Sequence, residues 1–567
     1  MSLLKDIRIV VGLDFGTTFS GFAYCHISES EGIITNESWP GKAGTLKTNT
    51  VLQYDSKFTN VVEWGSPALS KRKNKDEKRP VEKFKLYLGN LPKHRRPKLP
   101  HGFDYKKAIT DYLCEIGKLI KKTVEWPGIN FTENVLLILS VPAEYSEREK
   151  NVIRNCAHKA NLIREKDSPK LQFTTEPEAA AIYCMDNTLQ QYNLLVKETT
   201  FMIVDCGGGT VDLTTHKLIE DKEDKKLTEI TERIGDFCGS TFIDDEFIEF
   251  LREKLGTDAN AMDELIENHY GQYQFLVQEF CQSIKKTFAG NKEFFYELDI
   301  EENAPSLSQY VSKETRETMK KNDWLIPIKY DDVIKMFDPI VDRIIRLIHI
   351  QLSNSQETYS AIFLVGGFSK SKYLQKRIKS EFRDIVKNIL VPNQPEAAIA
   401  RGAAIYGLSF KNSHRAEETI LYASVIHKRV LKYTYGIKVL GKWKKNHPLD
   451  RRIFDDRIYL IDTFVTRLTQ VEVGKPSRPK RGYTPLNPSQ TGLKFELYKT
   501  LKFSVTYPDE PGIELVGTLR IDLPDTHFAC DRPVAFGFYF GNMEITAFAK
   551  NERNGQNFQT KFVLKDP

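Results

Sequence analysis

Two acidic turns carry most of the chemistry this sequence offers. Asp14-Phe15-Gly16-Thr17-Thr18 follows the apolar run Ile9 to Leu13, and Asp205-Cys206-Gly207-Gly208-Gly209-Thr210 follows Phe201 to Val204. Glycine-rich turns after strands present unblocked backbone N–H groups to phosphate oxygens, and the hydroxyls of Thr17, Thr18 and Thr210 add donors. A carboxylate beside a phosphate chain repels it, so Asp14 and Asp205 call for a cation between them. Mg2+ suits that place: it takes oxygen ligands, keeps several waters and is shared by one or two carboxylates and substrate phosphates. A lone Asp-Xaa-Gly turn is more simply a structural hairpin, whereas two copies in register favour a phosphate clamp. The sequence has no Gly-Lys-Ser/Thr P-loop, and Gly207-Gly208-Gly209 does not complete a dinucleotide fingerprint. His-Glu metalloprotease and Gly-Xaa-Ser-Xaa-Gly hydrolase patterns are also absent.

The elements that must position these turns recur in one order. A second strand-like stretch follows each turn, Ser20 to Tyr24 and Val211 to Thr215, which makes each turn the tip of a β-hairpin. Each half continues with a buried strand that breaks into a helix: Val135 to Val141, then Pro142-Ala143-Glu144 and a helix to about Leu162; and Ala361 to Val365, then Gly366-Gly367 and a helix from about Ser369. Each half closes on a Pro-Glu-Ala-Ala helix start, Glu176 to Ala181 and Gln394 to Ala398, with proline in the first turn, where its missing N–H would be unbonded anyway. This order predicts two α/β lobes of one topology facing across a cleft. A helix-rich insertion between Asp236 and Ile350, amphipathic over Phe337 to Leu352, would roof it.

A chain of 567 residues should hold two to four domains, and 40% apolar with 28% charged residues is the composition of an ordinary globular protein. No apolar run approaches the roughly 20 residues needed to span a bilayer, and no signal-peptide core precedes the first strand, so a cytoplasmic location is expected. The 8 cysteines are dispersed without paired short spacing and read as reduced thiols. Net charge is +6, and the basic patches Lys71 to Arg79, Lys93 to Lys98 and Lys475 to Arg481 lack interleaved aromatics. They read as solvated loops, and no nucleic-acid partner is expected. Beyond Leu408 the texture changes to a polar linker and then to alternating β-branched, aromatic and polar residues, the pattern of an all-β module.

Val11 to Thr18, Ser140-Val141-Pro142-Ala143, Thr175 to Tyr183, Ile203 to Leu213, Leu364 to Gly367 and Glu396 to Gly407 together resemble the actin-like ATPase superfamily and, within it, the 70-kDa heat-shock protein family. Lys83-Phe84-Lys85 and Gly366-Gly367-Phe368 look most like its divergent heat shock 70 kDa protein 12 branch. The resemblance implies a duplicated actin-like ATPase (RNase H-like) two-lobed domain over residues 1–410. Lobe I would run over about 1–200 and lobe II over about 201–410, with the insertion at about 236–350. A linker at 411–429 and an all-β, sandwich-like substrate-binding module at 430–567, without a helical lid, would follow.

The same resemblance implies ATP or ADP with Mg2+, and slow hydrolysis. Asp14 and Asp205 would hold the metal through its water shell. Gly16, Thr17, Thr18, Gly207, Gly208, Gly209, Thr210 and Gly239 would surround the phosphates. Lys85, with Lys83 as its rival, would steady the attacking water and γ-phosphate; Glu176 and Asp205 would orient or deprotonate that water, supported by Asp212. Lys285, Lys286, Gly366, Gly367 and Phe368 would take the adenosine end. The sequence departs from the family at Gln282, Ala289 and Pro395, where Glu, Ser and Asp are usual, which weakens nucleotide preference rather than phosphate binding.

The implied function is that of an ATP-dependent chaperone whose β module takes an unfolded client polypeptide, with co-chaperones as further partners. A non-catalytic nucleotide-sensing scaffold and a small-molecule kinase of the same superfamily are the alternatives. Lys85, Glu176 and Asp205 favour hydrolysis over sensing, and the β tail favours a protein client over a metabolite. The family's apolar linker is replaced by the charged Lys411 to Glu418, with only Ile420-Leu421-Tyr422 apolar, so nucleotide is expected to shift client affinity less than about tenfold.

Overall fold

The computed structural model describes residues 6–29, 32–69, 79–89, 91–189, 191–194, 196–220, 225–255, 261–410, 425–476, 481–540 and 543–561. The chain divides into two compact units, one of Met1–Glu144, Arg154–Thr215 and Ile234–Lys411, the other of Tyr145–Ile153, His216–Arg233 and Asn412–Pro567.

Two sheets organise the first unit. Strand β1 (Ile9–Phe15) pairs antiparallel with β2 (Phe19–His26) and parallel with β3 (Val135–Val141), which pairs parallel with β4 (Leu171–Thr175). Every residue of β1 and β3 is buried, as expected of apolar runs lying between neighbours on both sides. In the other sheet, β5 (Thr200–Cys206) lies between β6 (Val211–Glu220) and β7 (Tyr359–Val365), and β7 pairs parallel with β8 (Asn388–Leu390). In both sheets a glycine-tipped hairpin is followed outward by strands that arrive much later in the chain. The insertion contributes helices Thr241–Lys254, Ala261–Asn268, Tyr270–Glu279, Lys313–Lys321 and Tyr330–Ser353 beside the paired strands Phe295–Asp299 and Leu325–Lys329.

Helix α1 (Glu176–Tyr183) is capped by Thr175, whose side chain accepts from the Glu178 N–H at 3.3 Å, with proline in the first turn. The counterpart α2 (Ala398–Ser409) starts later than its Pro-Glu-Ala-Ala sequence suggests. Gln394 takes a left-handed φ of 59°, and the Pro395 carbonyl accepts from the Gly366 N–H at 3.0 Å, so residues 394–397 form a turn and not a first helical turn. Likewise the helices expected after Glu144 and from about Ser369 begin at Glu147 and Lys372, where the Ser146 and Ser371 hydroxyls accept from the Arg148 and Leu374 N–H groups.

Small residues let α2 sit almost in backbone contact with its neighbours. A Cβ added at Gly402 would lie 1.8 Å from the Ala179 carbonyl of α1, and one at Gly12 would lie 2.2 Å from the Ala400 carbonyl. One at Gly407 would lie 2.4 Å from Val10.

The second unit holds two antiparallel four-stranded sheets. One orders Arg457–Val465, Thr434–Lys442, Gly492–Thr500 and Ile513–Asp522; the other orders Arg481–Tyr483, Val534–Tyr539, Thr546–Asn551 and Asn557–Lys561. Both contribute to one core, in which Phe495 stacks on Phe536 with centroids 4.0 Å apart. Arg532 is fully buried and donates to the carbonyls of Ala529 (2.6 Å), Gln490 (2.7 Å), Leu523 (3.0 Å) and Pro488 (2.9 Å).

Of the expected linker, residues 411–424, including Ile420-Leu421-Tyr422, lie outside the described residues, as do Lys71 to Lys78 of the first basic patch. The remainder is not a loop. Ile426–Val430 is a strand, parallel to Lys225–Glu229 and antiparallel to Gln470–Glu472. The Glu229 carboxylate accepts from the Val430 N–H at 2.8 Å and from Arg233 Nε at 2.5 Å, which ties this added strand in place. None of the eight cysteines is in a disulfide. Among the described residues no helix is long and apolar enough to cross a membrane.

Candidate functional site

The two hairpin tips meet within the first unit. A Cβ at Gly208 would fall 2.0 Å from the Thr18 hydroxyl, and one at Gly209 would fall 3.1 Å from that of Thr17, so only glycines allow the approach at the first of these. The Gly207 N–H donates to the Thr210 carbonyl at 3.0 Å, closing the turn. The segment leading into helix Thr241–Lys254 takes up the turn's carbonyls: Ser240 N–H donates to Gly207 O (3.1 Å) and Thr241 N–H to Gly208 O (2.9 Å). Gly239 lies against the Gly208 backbone, which a Cβ would meet at 2.4 Å. The N–H groups of Gly208 and Gly209 take no protein acceptor among the described residues, which leaves them as donors for an anion.

Beneath the tips lies a cluster of charge. Asp14, Glu176, Asp205 and Asp212 are all buried, at 1%, 7%, 4% and 1% exposure. Lys85 Nζ donates to Glu176 Oε1 at 2.7 Å and to the Phe15 carbonyl at 2.5 Å. Lys83, at φ 55° just before the short helix that carries Lys85, is part-exposed and lies 3.9 Å from Asp245. The geometry therefore brings Lys85, and not Lys83, to the carboxylates. Asp14 makes a 2.5 Å ion pair with Lys47, a residue that sequence reasoning missed. Lys47 stands in a polar stretch without periodicity; it reaches Asp14 because Thr48–Asn49 pairs with the start of β2.

Burial, joined by repulsion from Glu176, Asp212 and Asp14, holds the Asp205 carboxyl well above the usual carboxylate range. Burial also raises Glu176, against the opposing pull of Lys85. Burial, then Glu176 and Glu144, pushes Asp212 up to about 8. Asp205 Oδ1 and Asp212 Oδ2 have no hydrogen-bond partner among the described residues. Of the four carboxylates, Glu176 pairs with Lys85 and Asp14 with Lys47, while Asp205 and Asp212 pair with no cation among the described residues. This oxygen-rich set, with carboxylate oxygens of Asp205 and Asp212 left without a hydrogen-bond partner among the described residues, fits Mg2+. Among the described residues no group of three or more His, Cys, Asp or Glu forms a ready-made metal cage.

A raised carboxyl pKa has a definite sign in stability. The native state holds the Asp212 proton more tightly than the unfolded chain does, so this contribution is present at acid pH and is lost as pH rises through about 8. In EDTA, the melting temperature of Asp212→Asn relative to wild type is therefore expected to climb from pH 5 and to level off above about pH 8. A difference independent of pH would show that Asp212 ionises like a surface carboxylate.

The adenosine-end candidates are placed differently. Gly366 adopts φ 81°, and a Cβ there would fall 2.4 Å from the Cys206 carbonyl and 2.5 Å from Asp205 Oδ1. Gly367 faces open space, while the Phe368 ring is buried in the core, leaving only its backbone available. Lys285 is tied to Asp244 and to the Ser240 carbonyl; burial pulls its pKa down, but Asp244 and Cys281 together raise it. Lys286 is exposed. A cavity of about 530 Å³ lined by Tyr192, Lys370, Gln375 and Pro395 flanks the Gly366–Lys370 turn and contains none of the carboxylates.

A family model described as a domain of unknown function (DUF8340) matches residues 196–392. Along nearly its whole length the chain is similar to human heat shock 70 kDa protein 12A, at 25% identity over 96% of this chain and 90% of that relative. Human heat shock 70 kDa protein 12B is 21% identical over 96% of this chain and 89% of its own length. The chaperone protein HscA of Buchnera aphidicola is 22% identical over 77% of this chain and 76% of its own.

Proposed function

From the premise that this is a divergent heat shock 70 kDa protein 12-like chain of the 70-kDa heat-shock family, we propose that it binds ATP together with Mg2+, hydrolyses it slowly and acts as a chaperone. In this reading residues 1–410 are a duplicated two-lobed actin-like ATPase and residues 430–567 a β-sandwich that receives a client polypeptide. The observation that carries it is the buried carboxylate–lysine cluster beneath two facing glycine-tipped hairpins.

The geometry is compatible with the following roles. Asp14 and Asp205 hold the cation, which when bound neutralises phosphate charge. Gly16, Gly207, Gly208, Gly209 and the hydroxyls of Thr17, Thr18 and Thr210 surround the phosphates, with Gly239 bracing the second turn. Glu176, its carboxyl raised by burial, accepts the proton of the attacking water at Oε2 while Lys85 holds Oε1. Asp212 supports the charge balance. Positioning and charge neutralisation provide most of phosphoryl-transfer catalysis, so the set suffices for slow turnover. Gly366 and Gly367 approach adenosine through backbone.

Calorimetry tests the clamp. ATP is expected to bind in Mg2+ and to lose at least about a hundredfold in affinity in EDTA, because the carboxylates then repel the phosphates. Unchanged affinity without metal would overturn the two-aspartate clamp. A nucleotide-sensing scaffold is the second reading, favoured by Lys285 being tied to Asp244; bound ATP that stays intact in a single-turnover assay would select it.

A further inference from the structure

Lys47 has no role in the reading above, yet it is built into the centre of the site. Its ammonium lies 2.5 Å from Asp14 Oδ2, and its charge is felt also by Asp205 and Glu176. The lysine side chain is only 15% exposed. Its approach is prepared by the backbone: Gly21 is the residue registered opposite Asp14 across the β1–β2 hairpin, and a Cβ there would meet the Lys47 Cγ at 2.9 Å and the Leu46 carbonyl at 2.8 Å. Thr48 pairs with Ser20 beside it, fixing where the lysine leaves the chain. The Thr45 hydroxyl donates to the Lys47 carbonyl at 3.2 Å, and the Trp39 indole donates to the Thr45 carbonyl at 2.8 Å, which brace the segment from behind.

We propose that Lys47 is a tethered counter-cation that occupies Asp14 and opposes the binding of a divalent metal there. The inference rests on the reading of Asp14 and Asp205 as the metal-holding pair. Among the described residues Asp14 Oδ1 meets the Ser140 hydroxyl at 3.5 Å and Asp205 Oδ1 has no hydrogen-bond partner, so the strong interaction already present on this pair is the Lys47 ion pair. A divalent ion held on Asp14, directly or through its water shell, would lie close to the ammonium on Oδ2 and be repelled by it in this buried site. Lys47 thereby sets the metal concentration at which the site loads, and it keeps the vacant cluster from carrying a larger negative charge.

The test uses full-length protein and Mn2+ alone, followed by the loss of free-ion electron paramagnetic resonance signal, with calorimetric binding of ADP plus Mg2+ in parallel. Lys47→Met and Lys47→Gln are expected to bind Mn2+ at least tenfold more tightly than wild type, and Lys47→Arg to bind it as wild type does. Having two neutral variants guards against one failing to fold, which circular dichroism reads directly. Unchanged Mn2+ affinity in the neutral variants, or weakened binding of ADP plus Mg2+, overturns the proposal, the latter by making Lys47 a phosphate ligand. Wild type that binds neither Mn2+ nor ADP plus Mg2+ would instead overturn the underlying nucleotide reading.

Discussion

Glu176→Gln and Lys85→Ala are each expected to slow single-turnover ATP hydrolysis by about 10²-fold or more, the usual contribution of a positioned acid–base group, while nucleotide affinity changes only a few fold. Glutamine keeps an oxygen for the 2.7 Å contact with Lys85 but removes the carboxylate that takes the proton. Loss of Lys85 leaves Glu176 buried without its counter-charge, so melting temperature is measured beside rate to separate stability from chemistry. Because the two side chains touch, the double variant should be little slower than either single one. Lys83→Ala is expected to leave the rate intact, since Lys83 is part-exposed toward Asp245. A damaging Lys83→Ala beside a silent Lys85→Ala would reverse the assignment.

Arg532→Ala is expected to destabilise the second unit by about 4 kcal/mol, within the range for removing one partner of a buried charged network. The guanidinium is fully buried, and the acceptors named above are all main-chain carbonyls, drawn from loops around Gln490, Leu523 and Ala529. Truncation would strand those carbonyls away from water and open a void. Arg532→Lys should rescue little, because one compact ammonium cannot span the positions that the planar fork reaches. Denaturant unfolding followed by tail fluorescence measures it; a loss below about 1 kcal/mol would mean that water replaces the guanidinium without strain.

The hairpin tips and the buried strands were legible because their signals are local. An apolar run such as Val135 to Val141 matches its strand at both ends, and Asp-Gly turns announce themselves by composition. Where a helix begins depended on partners far away in the chain: the Pro395 carbonyl is taken by Gly366, so the expected first turn at Gln394 never forms. Residues Ile426 to Arg429 of the strand Ile426–Val430 read as linker because His427, Lys428 and Arg429 form a polar run; the strand forms because Lys225–Glu229 offers an edge to pair with. Lys47 left no trace in the sequence pattern at all. A lysine between a leucine and a threonine becomes a site residue only once Gly21 lets it pass over the hairpin, and that meeting exists in space and not along the chain.

The fit of α2 over β1 has a consequence during synthesis. Val10 and Gly12 are covered by Gly407, Ala400 and Ala404, residues made about 390 positions later. At translation rates of roughly 5–20 residues per second, that face of the first strand waits about 20–80 s for its cover. Throughout that interval the nascent chain presents a strand whose every residue is destined for burial, and any fragment ending before Ala398 presents it permanently. A protein read here as a chaperone thus depends on protection of its own first strand until translation has passed its last large helix.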